Sequence, residues 1–155
     1  MTDKEITLSV MRTMGAADAQ AFSNRIINEN LDGTIIIDHE EKIPLFNSTK
    51  DYSSYKAGFC VAEIINGERY IFGLLQPYNA AHHEGTPNTL RALWSLKHTK
   101  NPLKARSYIA PYGTSGLYMK DECCLNKAGA VVISKVDNNA YSFEDYPANW
   151  TLWEG

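Results

Sequence analysis

The strongest structural signal in the sequence lies between Phe59 and Leu75, which read FCVAEIINGERYIFGLL. Two mainly apolar segments, Phe59–Ile65 and Arg69–Leu75, flank the dipeptide Asn66-Gly67. Asn-Gly readily adopts positive φ at both central positions of a type I′ turn, and this turn suits the twist of two paired strands. The stretch therefore predicts an antiparallel β-hairpin.

A second hairpin is predicted at Glu122–Asn126 and Val131–Val136, and the two hairpins lie in stretches that read as copies. Six residues recur in the same order, namely Tyr55, Val61, Gly67, Asn79, Pro87 and Trp94 in the first copy and Tyr118, Cys124, Gly129, Asn139, Pro147 and Trp153 in the second. The offset falls from 63 to 59 residues, as small loop deletions would produce. We therefore predict two related units, residues 43–97 and 98–155, in which Trp94 and either Trp153 or Trp150 cover the hairpins.

The N-terminal segment, residues 1–42, is predicted to be helical before these units begin. One apolar stripe at helical spacing is formed by Val10, Met14, Ala17 and Ala21. Phe22 and Ile26 add a second pair, while Gly15 predicts a break between a short lead and a helix of about residues 16–29. The β-branched run Thr34–Ile37 predicts a short strand. The expected fold is α+β, an N-terminal helix followed by two small antiparallel β-hairpin modules with Trp-lidded cores.

Composition excludes several classes of protein. No stretch of the 155 residues approaches the roughly 18 uncharged apolar residues that a membrane span needs. The net charge is −3 and no basic stripe is present, so we expect neither a membrane nor a nucleic-acid partner. The charged start Met1–Glu5 is unlike a signal peptide. Three cysteines, two of them adjacent, predict free buried thiols made in a reducing cytoplasm.

Residue types that often perform catalysis are not spaced for it in this chain. His82-His83-Glu84 and His39-Glu40-Glu41 lack the i, i+4 spacing of helical metal ligands. Ser115 lacks one glycine of a nucleophile elbow. The acidic pairs Asp121-Glu122 and Glu144-Asp145 are typical of a solvated surface. We therefore predict no catalytic residue, no metal and no cofactor.

Loop aromatics beside amides and carboxylates are the best candidates for a binding site. Sugar rings are recognised by exposed aromatic planes with hydrogen-bonding groups nearby. The candidate glycan-binding residues are Tyr141, Tyr146, Trp150, Asp137, Asn138 and Asn139 in the second unit and Tyr78 and Asn79 in the first. The alternative is ordinary packing or a protein interface, where tyrosine and tryptophan are also enriched.

The order of these residues resembles a known family. Tyr-x-x-Gly-x-x-Val, Asn-Gly-x-x-Tyr and then Asn, Pro and Trp resemble the chitin-binding-type carbohydrate-binding modules of families 5 and 12. The second unit, Tyr118–Trp153 with Ser134–Asn139, is similar to copies in tail-associated proteins of phages of Gram-positive bacteria. The first unit, with Leu75–Asn79 and Leu93-Trp94, resembles the same phage proteins.

The chain also departs from the family pattern. Asp121 and Val132 stand where the pattern has a glycine and an aromatic residue. The tryptophan that opens such modules is absent, and the nearest aromatics are Phe46 and Tyr108.

The resemblance implies a small β module in a virion tail, where such copies serve as structural adaptors. The expected function is therefore that of a non-catalytic structural or adaptor protein of a phage tail or tail-like particle, made in the host cytoplasm and located in the virion. The alternative is a glycan-binding module for a bacterial surface polysaccharide. Other tail proteins are expected partners, and so are further copies of this chain, because small sheets leave strand edges unpaired.

Overall fold

The computed structural model describes residues 3–155, with side chains from Ala17 onward. This part of the chain contains two α-helices and two three-stranded antiparallel sheets, which confirms the predicted α+β fold. The elements are α1 (Asp3–Asn28), α2 (Gly33–Asp38), β1 (Cys60–Ile65), β2 (Glu68–Leu74), β3 (Trp94–Leu96), β4 (Cys123–Leu125), β5 (Val131–Ser134) and β6 (Trp150–Leu152). The strand orders are β1-β2-β3 and β4-β5-β6. No helix in these residues is long and apolar enough to cross a membrane.

The first helix is longer than expected. α1 continues through Gly15, so the predicted break before a helix of about residues 16–29 is wrong. A glycine costs a helix interior only about 1 kcal/mol relative to alanine, which does not suffice to end a helix.

The buried face of α1 carries Phe22 and Ile26, as their spacing predicted. Ala17 and Ala21 are exposed, so the predicted apolar stripe is wrong at these two positions. Phe22 and Ile26 pack instead in a cluster with residues of α2 and of the first sheet. The remaining two positions of the stripe, Val10 and Met14, lie outside the described side chains.

The run Thr34–Ile37 is helical, so the predicted strand is wrong. The Asp32 carboxylate accepts a hydrogen bond from the N–H of Ile35 at 3.0 Å and thereby caps α2. The helix buries Ile36 and Ile37 against α1 and the first sheet. A β-branched residue disfavours helix by less than about 1 kcal/mol, and this cap and the burial outweigh that preference.

Both predicted hairpins form. In the first, Ile65 lies opposite Glu68, and Asn66 and Gly67 have φ angles of 51° and 80°. Positive φ at both positions is the type I′ turn that the sequence predicted. In the second, β4 pairs with β5 and Gly129 has a φ of 80°.

A third strand carrying a buried tryptophan completes each sheet. Trp94 lies opposite Leu74, and Trp150 lies opposite Ser134. The predicted match of Trp94 with Trp153 is therefore wrong; Trp150 is 3% exposed, whereas Trp153 is 39% exposed. Leu74 and Ser134 stand 60 residues apart but the two tryptophans only 56, because the loop before the third strand is four residues shorter in the second unit.

A cluster of three aromatic rings is repeated in the two units. It consists of Phe46, Tyr52 and Trp94 in the first unit and of Tyr108, Tyr118 and Trp150 in the second. The first two rings stack, with centroids 5.9 Å apart in one unit and 5.4 Å in the other, and the tryptophan ring meets both of them edge-on. Tyr52 therefore takes the place that the sequence comparison gave to Tyr55. The repeated cluster supports an internal duplication.

A residue with positive φ precedes each hairpin. Gly58 has a φ of 99° and Asp121 a φ of 75°. The N–H of Gly58 donates to the carbonyl of Leu74 at 2.7 Å, and the N–H of Asp121 donates to that of Ser134 at 2.9 Å. Asp121 thus keeps the conformation of the glycine whose place it takes.

Polar contacts join the two units. The Tyr70 hydroxyl donates to the Ser107 carbonyl at 2.9 Å, and the N–H of Ser107 donates to the Glu68 carboxylate at 3.0 Å. The Arg106 guanidinium forms an ion pair with Glu40 at 3.0 Å. These bonds link the second unit to β2 and to the segment after α2.

His98 lies buried where the two units meet. Its imidazole stacks on the Tyr118 ring with centroids 3.7 Å apart. Its Nε2 lies 2.8 Å from the Gly116 carbonyl, so this nitrogen carries the proton and donates. Burial lowers the pKa of His98 to about 4, so the ring is neutral at pH 7.

Candidate functional site

The eight predicted glycan-binding residues do not form one accessible surface. Four are exposed (Tyr141, Tyr146, Asp137 and Asn138), three are buried (Trp150, Asn139 and Tyr78), and Asn79 is partly buried. A ligand in solution reaches only the exposed group. The three buried side chains are part of the folded core, so they do not face a ligand on this surface.

The buried Asn139 holds the loop after β5 in place through hydrogen bonds. Its side-chain N–H donates to the Ser134 hydroxyl at 3.0 Å, and its side-chain oxygen accepts from the N–H of Tyr141 at 3.2 Å. Its backbone forms two hydrogen bonds with Tyr118. Since Asn139 is 1% exposed, these bonds satisfy a buried amide and fix the course of the loop.

Each buried tryptophan donates a hydrogen bond from its indole N–H to another residue of the same unit. Trp150 donates to the Tyr141 carbonyl at 3.0 Å, and Trp94 donates to the Tyr78 hydroxyl at 2.8 Å. The Asn79 side chain caps the short turn that follows it. Trp150, Tyr78 and Asn79 thus act as structural residues.

Asp137 and Asn138 bond to the loop that precedes β4. The Asp137 carboxylate accepts from the N–H of Lys120 at 3.0 Å. The N–H of Asn138 lies 3.3 Å from the Met119 sulfur, and Asn138 has a φ of 54°. One carboxylate oxygen of Asp137 is therefore already occupied.

Tyr141 and Tyr146 form an exposed aromatic pair. They are 57% and 49% exposed, and their ring centroids lie 5.8 Å apart at an angle of 33°. The buried Ser142 holds the loop between them: its carbonyl accepts from the N–H of Tyr146 and its hydroxyl from that of Asp145. Residues 141–146, called the acidic loop below, also expose the carboxylates of Glu144 and Asp145. The loop offers aromatic faces and negative charge on a fixed backbone, which suits binding.

The sequence of this chain matches no protein-family model and no curated protein.

The three thiols are free and buried, as predicted. Burial raises the pKa of Cys60 and Cys123 to about 11 and that of Cys124 to about 12. A thiol with so high a pKa is a poor nucleophile at pH 7. Among the described side chains, no group of three or more His, Cys, Asp or Glu residues is placed to hold a metal ion.

A groove that the sequence did not predict lies between α1 and the loop before β1. It has a volume of about 730 Å³, and its lining includes Lys42, Lys50 and Lys56. We call it the basic groove. These lysines stand eight and six residues apart in the chain, a spacing that matches no periodic pattern, so only the fold brings them together.

Proposed function

We propose that this protein is a non-catalytic structural adaptor of a phage tail or tail-like particle. The observation that carries the proposal is the use of the family-like aromatics for packing. Tyr70, Trp94 and Tyr118 of the family-like pattern are buried in the two cores, and Tyr52 and Trp150 complete the ring clusters, so the resemblance concerns a folding module. Aromatic clusters of this kind stabilise small sheets that would be marginal alone.

The states of the titratable groups support a role without catalysis. The thiols are protonated at pH 7, and the buried His98 is neutral and occupied by its bond to Gly116. Glu122 is the described carboxyl group with a raised pKa, and burial is the main cause. Its Oε1 already accepts the N–H of Met119 at 2.7 Å. These groups are engaged in the fold.

The surface supports assembly with other chains. Large apolar side chains are exposed on both sheets and on the loops, among them Leu45, Ile64, Leu103 and Leu152. β6 is an edge strand, so one of its sides has no neighbouring strand in the sheet. An open strand edge can pair with a strand of another chain, and exposed apolar side chains are available for contact with it.

The proposal is tested on particles from a bacterial strain that carries the gene. We expect the chain to co-purify with intact particles in a fixed molar ratio and to form cross-links to other particle proteins. Mass spectrometry of density-purified particles measures both. A chain found only in the soluble fraction, and monomeric at micromolar concentration without affinity for tail proteins, would contradict the proposal.

A second candidate is glycan binding by the acidic loop, and the exposed Tyr141–Tyr146 pair favours it. If the rings stack on sugar faces, truncating both costs about 1–3 kcal/mol or more and lowers affinity roughly tenfold or more. Titration of Tyr141→Ala/Tyr146→Ala against cell-wall polysaccharide measures this change. His83→Ala, which alters an exposed loop of the first unit, is the matched control. Unchanged binding, or none by the parent protein, would exclude this candidate.

A further inference from the structure

The basic groove is a positively charged site on a chain that is negative overall. Its lining includes three lysines and one carboxylate, that of Glu41, so its formal charge is +2, against −3 for the whole chain. Side-chain amides from α1, those of Gln20, Asn24 and Asn28, line the opposite wall. The groove therefore suits a ligand that carries negative charge and hydrogen-bonding groups.

The lysine ammonium groups of the groove remain available to a ligand. Among residues 17–155 the ion pairs are Arg25–Glu29, Lys104–Glu40 and Arg106–Glu40, and none of them uses a lysine of the groove. The Lys50 ammonium lies 5.0 Å from the centroid of the Tyr55 ring, and that of Lys42 lies 5.8 Å from the centroid of Phe22. A cation held over a ring is positioned without losing its charge.

The groove also has an apolar wall. Ile27, Tyr55 and Phe59 are partly buried side chains of its lining. The rings of Tyr55 and Phe59 lie 4.5 Å apart at 59°, and Lys50 lies over Tyr55. These neighbours restrict access to the Tyr55 faces, so flat stacking of a sugar ring is disfavoured. A partner that combines carboxylates with bulky side chains fits better.

The acidic loop of the same chain has this complementary chemistry. It exposes two carboxylates, Glu144 and Asp145, between the two exposed rings of Tyr141 and Tyr146. Its backbone is held by bonds from Asn139 and Ser142, so little ordering is needed on binding. The lining of the groove contains no residue beyond Phe59, which means that the chain does not fill the groove with its own second unit.

We propose that the basic groove receives the acidic loop of a second copy of this chain. Lys42, Lys50 and Lys56 attract the loop carboxylates, and a tyrosine of the loop packs on the apolar wall. Because the two surfaces differ, the contact is heterologous, and repeated contacts build either a ring or a filament. The inference deepens the proposed structural role and rests on it, since it names one partner of the chain.

Sedimentation velocity between 1 and 100 μM tests the inference. We expect concentration-dependent association that weakens when NaCl is raised from 50 to 500 mM, since salt screens the charges. Lys50→Glu/Lys56→Glu and Glu144→Lys/Asp145→Lys each raise the dissociation constant at least tenfold. Lys120→Glu/Lys135→Glu, the matched control, changes the net charge equally at two exposed lysines of the second unit outside the acidic loop and leaves association intact. Circular dichroism verifies that each variant is folded.

Mixing the two charge-reversed variants gives the sharpest result. The groove variant keeps a normal loop and the loop variant keeps a normal groove, so the mixture associates again. A wild-type chain that is monomeric at 100 μM in 50 mM NaCl overturns the inference. Association that the variants do not weaken also overturns it, because another interface is then used, while co-purification with particles separately decides the proposed function. A monomer that binds trigalacturonate in the groove, but not maltotriose, assigns the groove to an anionic saccharide and overturns self-docking.

Discussion

At residue 121 an aspartate keeps a backbone conformation that suits glycine. Its φ of 75° lies in the left-handed region, which costs a side chain about 1–2 kcal/mol. We expect Asp121→Gly to raise the free energy of unfolding by about 0.5–1 kcal/mol, since the gain exceeds the added freedom of the unfolded chain. Urea denaturation followed by circular dichroism measures the change.

The equivalent glycine supplies the reciprocal test. Gly58 has a φ of 99°, and a methyl group at this position would meet only a side-chain carbon of Ile27 at 3.9 Å. Gly58→Ala is therefore expected to lower the free energy of unfolding by about 1–2 kcal/mol through the backbone alone. Equal stability of the parent and both variants would show that these loops do not impose positive φ in solution.

His98 makes stability depend on pH. Its pKa is about 4 in the folded chain and near 6.5 when unfolded, so between these values the unfolded chain binds more protons. Stability therefore falls as pH is lowered from 6.5 towards 4, by roughly 2–3 kcal/mol at pH 4.5. Urea denaturation at pH 7 and pH 4.5 measures the loss.

The variant His98→Gln separates this effect from that of the carboxylates. Glutamine donates a hydrogen bond but does not titrate. The loss of stability between pH 7 and pH 4.5 is expected to shrink by about the same 2–3 kcal/mol. Direct NMR titration of the imidazole is independent of the variant's folding, and an ordinary pKa near 6.5 would contradict the prediction.

Substitutions in and after β6 test which tryptophan covers the core of the second unit. Trp150 is buried opposite Ser134, whereas Trp153 is largely outside the core. Trp150→Ala is expected to lower the free energy of unfolding by about 3–5 kcal/mol, as other large-to-small core changes do. Trp153→Ala, the matched control, is expected to cost under about 1 kcal/mol. Thermal and urea unfolding followed by circular dichroism compare them, and equal losses would favour the register drawn from the sequence.

The hairpins were predictable because their determinants are local. Asn66-Gly67 selects a turn type within four residues, and the turn fixes the pairing of the flanking strands. The segment Thr34–Ile37 was mispredicted because its helix depends on a cap from Asp32 and on burial of isoleucines against α1. Burial depends on distant segments, which a single stretch of sequence does not show.

The candidate site was predicted only in part, for a similar reason. Aromatic residues beside amides mark both sugar sites and packed loops, and the sequence does not say which way a ring points. Tyr141 and Tyr146 point outwards, whereas Tyr78 and Trp150 point inwards. The three lysines of the basic groove meet through tertiary structure, so no local pattern indicated them.

In the molecule as a whole, the second unit is expected to depend on the first for its stability. Its buried apolar cluster contains four residues, Tyr118, Cys124, Val132 and Trp150, and its strands have three or four residues each. Chains near 60 residues bury too little surface for ample stability. We expect residues 98–155 alone to show no cooperative thermal transition, and addition of residues 1–97 to restore dispersed amide signals in NMR spectra. A cooperative transition of the isolated fragment would contradict this.

The buried thiols also report how often each part of the molecule opens. At neutral pH a thiol with a pKa near 11 is ionised in roughly one molecule in ten thousand, so a disulfide reagent reacts only after the structure opens. Cys60 lies in the first sheet and Cys123 and Cys124 lie in the second. Mass spectrometry separates the labelling rate of Cys60 from that of Cys123 and Cys124, so the native cysteines report how fast each sheet opens. Equal rates mean that the two units open in one cooperative step, and unequal rates identify the unit that unfolds locally first.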